Sequence, residues 1–111
     1  MPSHNDIILA ILSRVGVPYK YRAYKGKDVK PPPFIAYYFE REQHRGPDER
    51  NRIVAADAVI ELYIKQKNFE LEMELETELS AYDFDKSEEY DDTEELYLIT
   101  YALTITSKTR R

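Results

Sequence analysis

With 111 residues, the chain is long enough for one domain with one hydrophobic core. It contains no cysteine, which excludes disulfides, thiolate metal sites and cysteine nucleophiles and is typical of a protein that assembles in a reducing cytosol. The longest apolar run covers only residues 7–12, too short for a signal peptide or a transmembrane span, so we expect a soluble, intracellular protein without a membrane partner.

The net charge of −5 is unevenly distributed along the chain. Residues 1–69 carry 12 Lys and Arg side chains against 8 acids, whereas residues 70–95 carry 13 acids against Lys86 alone. Because phosphate binding requires a basic surface, we do not expect nucleic acid to be the main partner. Regions of opposite charge in one chain would instead favour attraction between copies.

The first third of the chain predicts one helix and one short strand. Residues 6–15 place aliphatic side chains at helical spacing, and Gly16 follows as a C-terminal stop. Residues 19–24 alternate tyrosines with basic residues and predict an edge strand. Residues 25–33 (KGKDVKPPP) predict an extended linker, because proline has no N–H to donate to a strand ladder.

Two β-prone segments predict the centre of a sheet. Residues 34–41 predict one strand, and residues 52–65 predict a longer strand with a period of two. We expect an antiparallel pair, with residues 42–51 projecting between them as an exposed hairpin arm. One face of the long strand is wholly apolar and needs a covering layer from the amphipathic segments at the two ends of the chain. That face consists of Val54, Ala56, Ala58, Ile60, Leu62 and Ile64.

The segment 69–80 (FELEMELETELS) fits both a strand and a helix. Its first apolar residues alternate with glutamates, as in a strand. Against this, Leu71, Leu75 and Leu79 recur at helical spacing and Asn68 is a good N-cap, so we predict a helix.

The remaining segments complete an α+β pattern. Residues 84–90 predict a polar edge strand, and residues 95–106 predict a last strand with an alternating apolar face. We therefore expect an α+β fold in which two helices pack on one face of a mainly antiparallel sheet. Residues 1–106 would form this single domain, followed by a disordered basic tail at residues 107–111.

Acidic residues in the segment 83–94 are spaced as in a calcium-binding loop. However, position 6 of such a loop needs glycine and holds Glu88, and the following segment is β-branched rather than helical. With 13 acids in residues 70–95, some acidic spacing matches by chance. We expect a solvated acidic edge, with no metal and no cofactor. The matching residues are Asp83, Asp85, Ser87, Glu89, Asp91 and Glu94.

No constellation for catalysis is evident in the sequence. His4 and His44 are the only histidines, and we expect both in mobile segments without a metal-ligand pattern. Asp57 would act as a general base only inside a pocket, and a strand residue facing solvent or another subunit is the commoner case. The ten tyrosines would suit base stacking on RNA, but the acidic charge favours a protein interface.

Four motifs, in their order along the chain, carry a family resemblance. They are VPYKY, KPPPFIAYYF, AVIELYIKQKNFELEMELE and YDFDKSEEYDDTEELYLITYAL. Together they resemble the small tail completion proteins of siphovirus prophages in Gram-positive bacteria, which are relatives of the tail terminators. The resemblance spans residues 7–105. It implies a tail terminator-like α+β protein that binds, as a ring that is usually hexameric, to the head-proximal end of the tail tube.

The resemblance also implies a function and a set of partners. The chain would be a non-enzymatic structural protein that stops tail polymerisation and joins the tail to the head. Its partners would be other copies of itself, the major tail tube protein and the head connector or stopper protein. Its location would be the virion, after assembly in the cytoplasm of a bacterial host. One alternative is another neck component, such as a head completion protein; alternatives of another class are a small calcium-binding or RNA-binding domain.

The charge distribution predicts where copies of the chain would meet. A closed ring brings two different surfaces of neighbouring subunits together, and opposite charges on them favour that arrangement. The predicted basic surface is the arm with Arg45, Arg50 and Arg52. The predicted acidic surface is formed by Glu88, Glu89, Asp91, Asp92, Glu94 and Glu95.

Overall fold

The computed structural model describes residues 4–22, 31–45 and 52–106. The predicted tail at 107–111, the tip of the predicted arm and most of the predicted linker lie outside these residues. The predicted α+β fold, with two helices and a mainly antiparallel sheet, is confirmed. In chain order the elements are α1 (His4–Ser13), β1 (Tyr19–Tyr21), β2 (Phe34–Arg45), β3 (Arg52–Ile64), α2 (Phe69–Glu78), β4 (Phe84–Asp91) and β5 (Leu96–Thr106).

The strands form one sheet in the order β1-β2-β3-β5-β4, so β3 lies near the centre and β1 and β4 form the edges. The pairs β2–β3, β3–β5 and β5–β4 are antiparallel, which confirms the predicted hairpin of β2 and β3. β1 pairs with β2 in parallel, a direction that its sequence does not predict. The parallel direction is possible because the twelve residues between Tyr21 and Phe34 are enough to return the chain to the same end of the sheet.

The core lies between one face of the sheet and both helices. The apolar face predicted for β3 is buried from Ala56 to Ile64, and Ile60 and Leu62 are completely inaccessible to solvent. The side chain of Val54 lies outside the described residues. Six aliphatic residues of the helical segments join the same cluster, which fixes both helices on this helix-covered face: Ile8, Ile11, Leu12, Leu71, Leu75 and Leu79.

The prediction of a helix in the segment 69–80 is confirmed by α2. The side-chain oxygen of Asn68 accepts a hydrogen bond of 3.0 Å from the Leu71 N–H, so Asn68 is the N-cap. Leu75 is fully buried, and burying a side chain of this size stabilises a fold by about 1.5 to 3 kcal/mol. Phe69 and Met73, which suggested a strand by their alternation with glutamates, point outward and are 71% and 68% exposed.

Several element boundaries differ from their predicted positions. β2 extends four residues beyond the predicted strand, so the first part of the predicted arm is paired with β3 as far as Arg45 and Arg52. Register shifts interrupt this pairing between Phe39 and Arg41 and between Gln43 and His44, as at β-bulges. Each described helix has ten residues, and no candidate membrane span occurs among the described residues.

Candidate functional site

The face of the sheet opposite the helices, called the open face below, is covered by neither described helix. Strand alternation assigns its residues, because directly paired residues of neighbouring strands point to the same side. The surface is mixed, with an aromatic and aliphatic part on β2, β3 and β5 and acids on β4. Its main residues are Phe34, Tyr38, Asp57, Val59, Glu61, Tyr63, Asp85, Ser87, Glu89, Leu98, Thr100, Ala102 and Thr104.

An aromatic pair occupies one end of the open face. The rings of Phe34 and Tyr63 stack with centroids 4.7 Å apart, and Leu98 lies next to Tyr63 on β5. The Tyr63 hydroxyl donates a hydrogen bond of 3.1 Å to Glu61 Oε1. Burial, together with the charge and hydrogen bond of Glu61, raises the pKa of Tyr63 to about 12, so its phenol stays neutral at physiological pH. This end is a mainly aromatic and aliphatic surface beside the Glu61 carboxylate, of a kind found in protein interfaces.

A second apolar row crosses the centre of the open face. It runs from Tyr38 through Val59 to Ala102, and Val59 is only 5% exposed because its neighbours on both strands enclose it. The Arg22 guanidinium lies 5.4 Å from the centre of the Tyr38 ring, within range of a cation–π interaction. The edge next to β2 is therefore basic and aromatic.

Asp57, the candidate general base, is engaged in a chain of contacts across three strands. Arg41 Nε on β2 donates to Asp57 Oδ2 at 3.1 Å, and Thr104 Oγ1 on β5 donates to Oδ1 at 2.7 Å. The adjoining open cleft, of about 580 Å³, is lined by further acids, including Asp83 and Asp85, and by no basic side chain among the described residues. Asp57 therefore connects β2, β3 and β5 through its two hydrogen bonds. This is the structural role of a strand residue rather than that of a general base.

A network of charges connects α2 to the acidic edge of the sheet. The Glu72 side chain is only 3% exposed, with Lys67 Nζ 2.7 Å from Oε2 and Lys86 Nζ 2.9 Å from Oε1. Lys67 also contacts Glu88 at 2.6 Å, and Lys86 contacts Glu76 at 2.6 Å. The hydroxyl of the buried Tyr101 donates to the same Glu76 oxygen at 2.8 Å.

The network keeps its members in one charge state. Burial would raise the pKa of Glu72, but the hydrogen bond from Lys67 and the contact with Lys86 outweigh it and lower the pKa. Burial would likewise lower the pKa of Lys67, but its two carboxylate partners raise it. The hydrogen bond to Glu76 is the main cause of the raised pKa of Lys86. The lone base of the acidic segment thus holds α2 against β4 and β5.

The acidic segment 83–94 forms a strand and a turn rather than a loop curled around an ion. β4 alternates Asp85, Ser87, Glu89 and Asp91 toward the open face, and an extended strand separates successive residues by about 3.3 Å. Asp91 Oδ1 accepts hydrogen bonds from the N–H groups of Thr93 and Glu94, which closes the turn to β5. Within the described parts of the chain, no group of three or more His, Asp or Glu side chains is placed to hold a metal.

The expectation that His4 lies in a mobile segment is wrong. His4 is the first residue of α1 and is buried, with its Nε2 2.9 Å from Glu42 Oε2 and its ring edge-on to Phe39 at 4.5 Å. It fixes the start of α1 against β2. The side chain of His44 lies outside the described residues.

The predicted interface residues lie in two separate places. Glu88, Glu89 and Asp91 are exposed on β4, and Asp92, Glu94 and Glu95 are exposed in the turn that follows. The backbones of Arg45 and Arg52 pair at the opposite end of the sheet, whereas Arg50 and the side chains of all three arginines lie outside the described residues. The described base of the arm and the acidic turn therefore lie at opposite ends of the sheet, and a meeting of the two surfaces between copies stays a prediction.

Compared with known proteins, the chain matches no family model and no curated protein sequence. The open face offers aromatic and aliphatic groups for protein contact, and the Asp57 carboxylate beside the cleft is already bound by Arg41 and Thr104.

Proposed function

We propose that this chain is a non-enzymatic structural protein of a bacteriophage or prophage tail. It caps the head-proximal end of the tail tube, ends tail polymerisation and joins the tail to the head connector. It acts as a ring, hexameric in the virion, whose partners are other copies of the chain, the major tail tube protein and the head connector or stopper protein. Assembly takes place in the cytoplasm of the bacterial host.

The open face is the observation that carries this proposal. Both helices pack on one side of the sheet, which leaves the other side with a stacked Phe34–Tyr63 pair and an apolar row through Val59. A broad sheet surface with aromatic and aliphatic groups at its centre suits contact with other proteins better than catalysis, which needs converging polar groups in a pocket. The order of the four sequence motifs and the α+β fold support a tail completion protein in particular.

The alternatives of another class lack support in the described residues. A calcium-binding protein would need a loop in the segment 83–94, which forms β4 and a turn. An RNA-binding sheet would need a basic face, and the open face carries Asp57, Glu61, Asp85 and Glu89. The remaining alternative is another neck component, such as a head completion protein. Gold labelling of the tagged protein distinguishes the two functions. It should mark isolated tails if the chain is a tail completion protein, and isolated heads if it is a head completion protein.

Deletion of the gene from its phage or prophage tests the proposal. We expect filled heads and separate tails of abnormal, variable length, because the ring is what stops tube growth. Joined virions with tails of normal length would refute the function.

A plasmid copy of the gene should restore joining of heads and tails. A copy with Met73→Ser, which changes an exposed apolar residue on α2, should also restore it. A copy with Phe34→Ser and Tyr63→Ser on the open face should fail while remaining folded.

A further inference from the structure

The two edges of the sheet carry opposite charges. At one edge, β1 presents the exposed Lys20, and the exposed Arg22 follows the strand directly. At the other edge, residues 83–95 contain eight acids against Lys86, whose ammonium is held by Glu72 and Glu76. The arm is balanced by comparison, since residues 40–52 contain four bases and four acids. Among the surfaces that the described residues form, the β1 edge therefore best complements the acidic edge.

Each edge strand also has an open side. β1 pairs only with β2 and β4 only with β5 among the strands that the structure describes. The N–H and C=O groups on the outer side of such a strand are a template for pairing with another chain. Pairing of two β4 edges would place acids opposite acids, and pairing of two β1 edges would place bases opposite bases, which disfavours both.

Strand direction makes the pairing of β4 with β1 antiparallel. β1 runs parallel to β2, and each following step across the sheet reverses direction, so β1 and β4 run in opposite directions. A second copy placed beside the first in the same orientation therefore brings its β1 antiparallel to β4. The helices of both copies then lie on the same side of a continuous sheet.

The side chains of the two edges match on both faces. Lys20 shares the open face with Ala36, and Glu89 shares it with Leu98. Tyr19 and Tyr90 belong to the helix-covered face, and Tyr90 is 50% exposed. An antiparallel register that places Lys20 opposite Glu89 also places Tyr19 opposite Tyr90. One register thus forms an ion pair on one face and an aromatic pair on the other.

We infer that β4 of one copy pairs antiparallel with β1 of a second copy, with Lys20 opposite Glu89. This inference specifies the contact between subunits of the proposed ring and to that extent rests on the proposed function. The two surfaces are different, so the contact is heterologous and leaves a free β1 and a free β4 at the ends of each pair. Repetition of the contact gives a ring if the rotation between copies closes.

The absence of cysteine from the chain allows a direct test. Lys20→Cys and Glu89→Cys proteins are purified separately, mixed and exposed to oxidised glutathione. We expect a disulfide between positions 20 and 89, identified by mass spectrometry, since directly opposed strand residues lie within disulfide range. It should form at least tenfold faster in the mixture than in either protein alone. Ala10→Cys, at an exposed position on α1, mixed with Glu89→Cys is the matched control.

Two results would overturn the inference. One is cross-linking of the mixture no faster than that of the control pair. The other is equally fast cross-linking of Glu89→Cys alone, which would show that two β4 edges meet.

Charge reversal gives an independent measurement by sedimentation velocity. Lys20→Glu should shift the protein toward monomer, and Lys20→Glu with Glu89→Lys in the same chain should restore association. A double variant as monomeric as Lys20→Glu would contradict the ion pair.

The outcomes for edge pairing and for tail function are separable. If the cross-link fails while a plasmid copy of the gene restores tail joining, the edge contact is wrong and the function stands. If the cross-link forms while deletion of the gene leaves normal virions, the function is wrong and the edge contact stands.

Discussion

Replacement of Glu72 by Gln tests the charge network between α2 and the acidic edge. Glutamine has nearly the same shape as glutamate, so the change removes the negative charge without opening a cavity. Lys67 and Lys86 would lose their shared buried carboxylate, at 2.7 and 2.9 Å, but would keep Glu88 and Glu76 as partners. The variant therefore weakens a network without leaving a lysine unpaired.

The expected cost follows from this geometry. Removing one partner of a fully buried ion pair costs about 3 to 5 kcal/mol when the other charge is left uncompensated. Here each lysine retains a second carboxylate, and a hydrogen bond to a charged group contributes about 1.5 to 3 kcal/mol. We expect Glu72→Gln to lower the free energy of unfolding by about 2 to 3 kcal/mol, whereas Glu74→Gln, at an exposed position of α2, should change it by about 0.5 kcal/mol or less.

Urea denaturation followed by circular dichroism measures both variants, and pH supplies a second check. The pKa of Glu72 is lowered from its ordinary value of 4.5, so the network's contribution is complete above that pH. It is lost as the pH falls through the lowered pKa. The stability difference between wild type and Glu72→Gln should therefore narrow in acid. Equal stabilities of Glu72→Gln and Glu74→Gln at neutral pH would refute the reasoning.

Three further predictions concern the core, the acidic edge and the arm. Leu75→Ala removes a completely buried side chain and should cost about 2 to 5 kcal/mol in urea denaturation; a cost near zero would contradict the packing of α2. Titration calorimetry should find no sub-millimolar calcium site in the segment 83–94, and a site abolished by Asp83→Ala would show the opposite. If the arm also joins copies, reversing its three arginines to Glu should impair association measured by light scattering, and reversing Glu88, Glu89 and Glu94 to Lys should partly restore it. Normal assembly of the arm variant at low salt would leave β1 as the basic side of the contact.

The features predictable from the sequence are those encoded by local periodicity. The period of two in β3 predicts its buried face, and Leu71, Leu75 and Leu79 predict α2 in spite of the alternating glutamates around them. In both elements, the regular spacing of the buried aliphatic side chains is the main structural signal. A short window of sequence is therefore sufficient to predict the element.

Features that depend on distant residues could not be predicted in this way. The parallel direction of β1 is set by its pairing with β2 across a twelve-residue connection. The burial of Glu72 depends on Lys86 of β4 as well as on Lys67, which lies only five positions away, and the pairing with Lys86 is not encoded by local spacing. The burial of His4 depends on its contact with Glu42, which lies 38 positions away. The open face exists because both helices pack on the other side of the sheet, which no local pattern encodes.

The position of β3 in the sheet sets an order for folding. β2 reaches β3 through one hairpin and β4 reaches β5 through another, but the β3–β5 pairs join residues 33 to 51 positions apart. Ordering so long a segment costs chain entropy before the pairing contributes any stability, which slows folding. The two hairpins should therefore form early, and their union along β3 and β5 should limit the folding rate. Pulse-labelled hydrogen exchange would show protection within each hairpin before the amides between β3 and β5, and simultaneous protection of all three pairs would argue for a different nucleus.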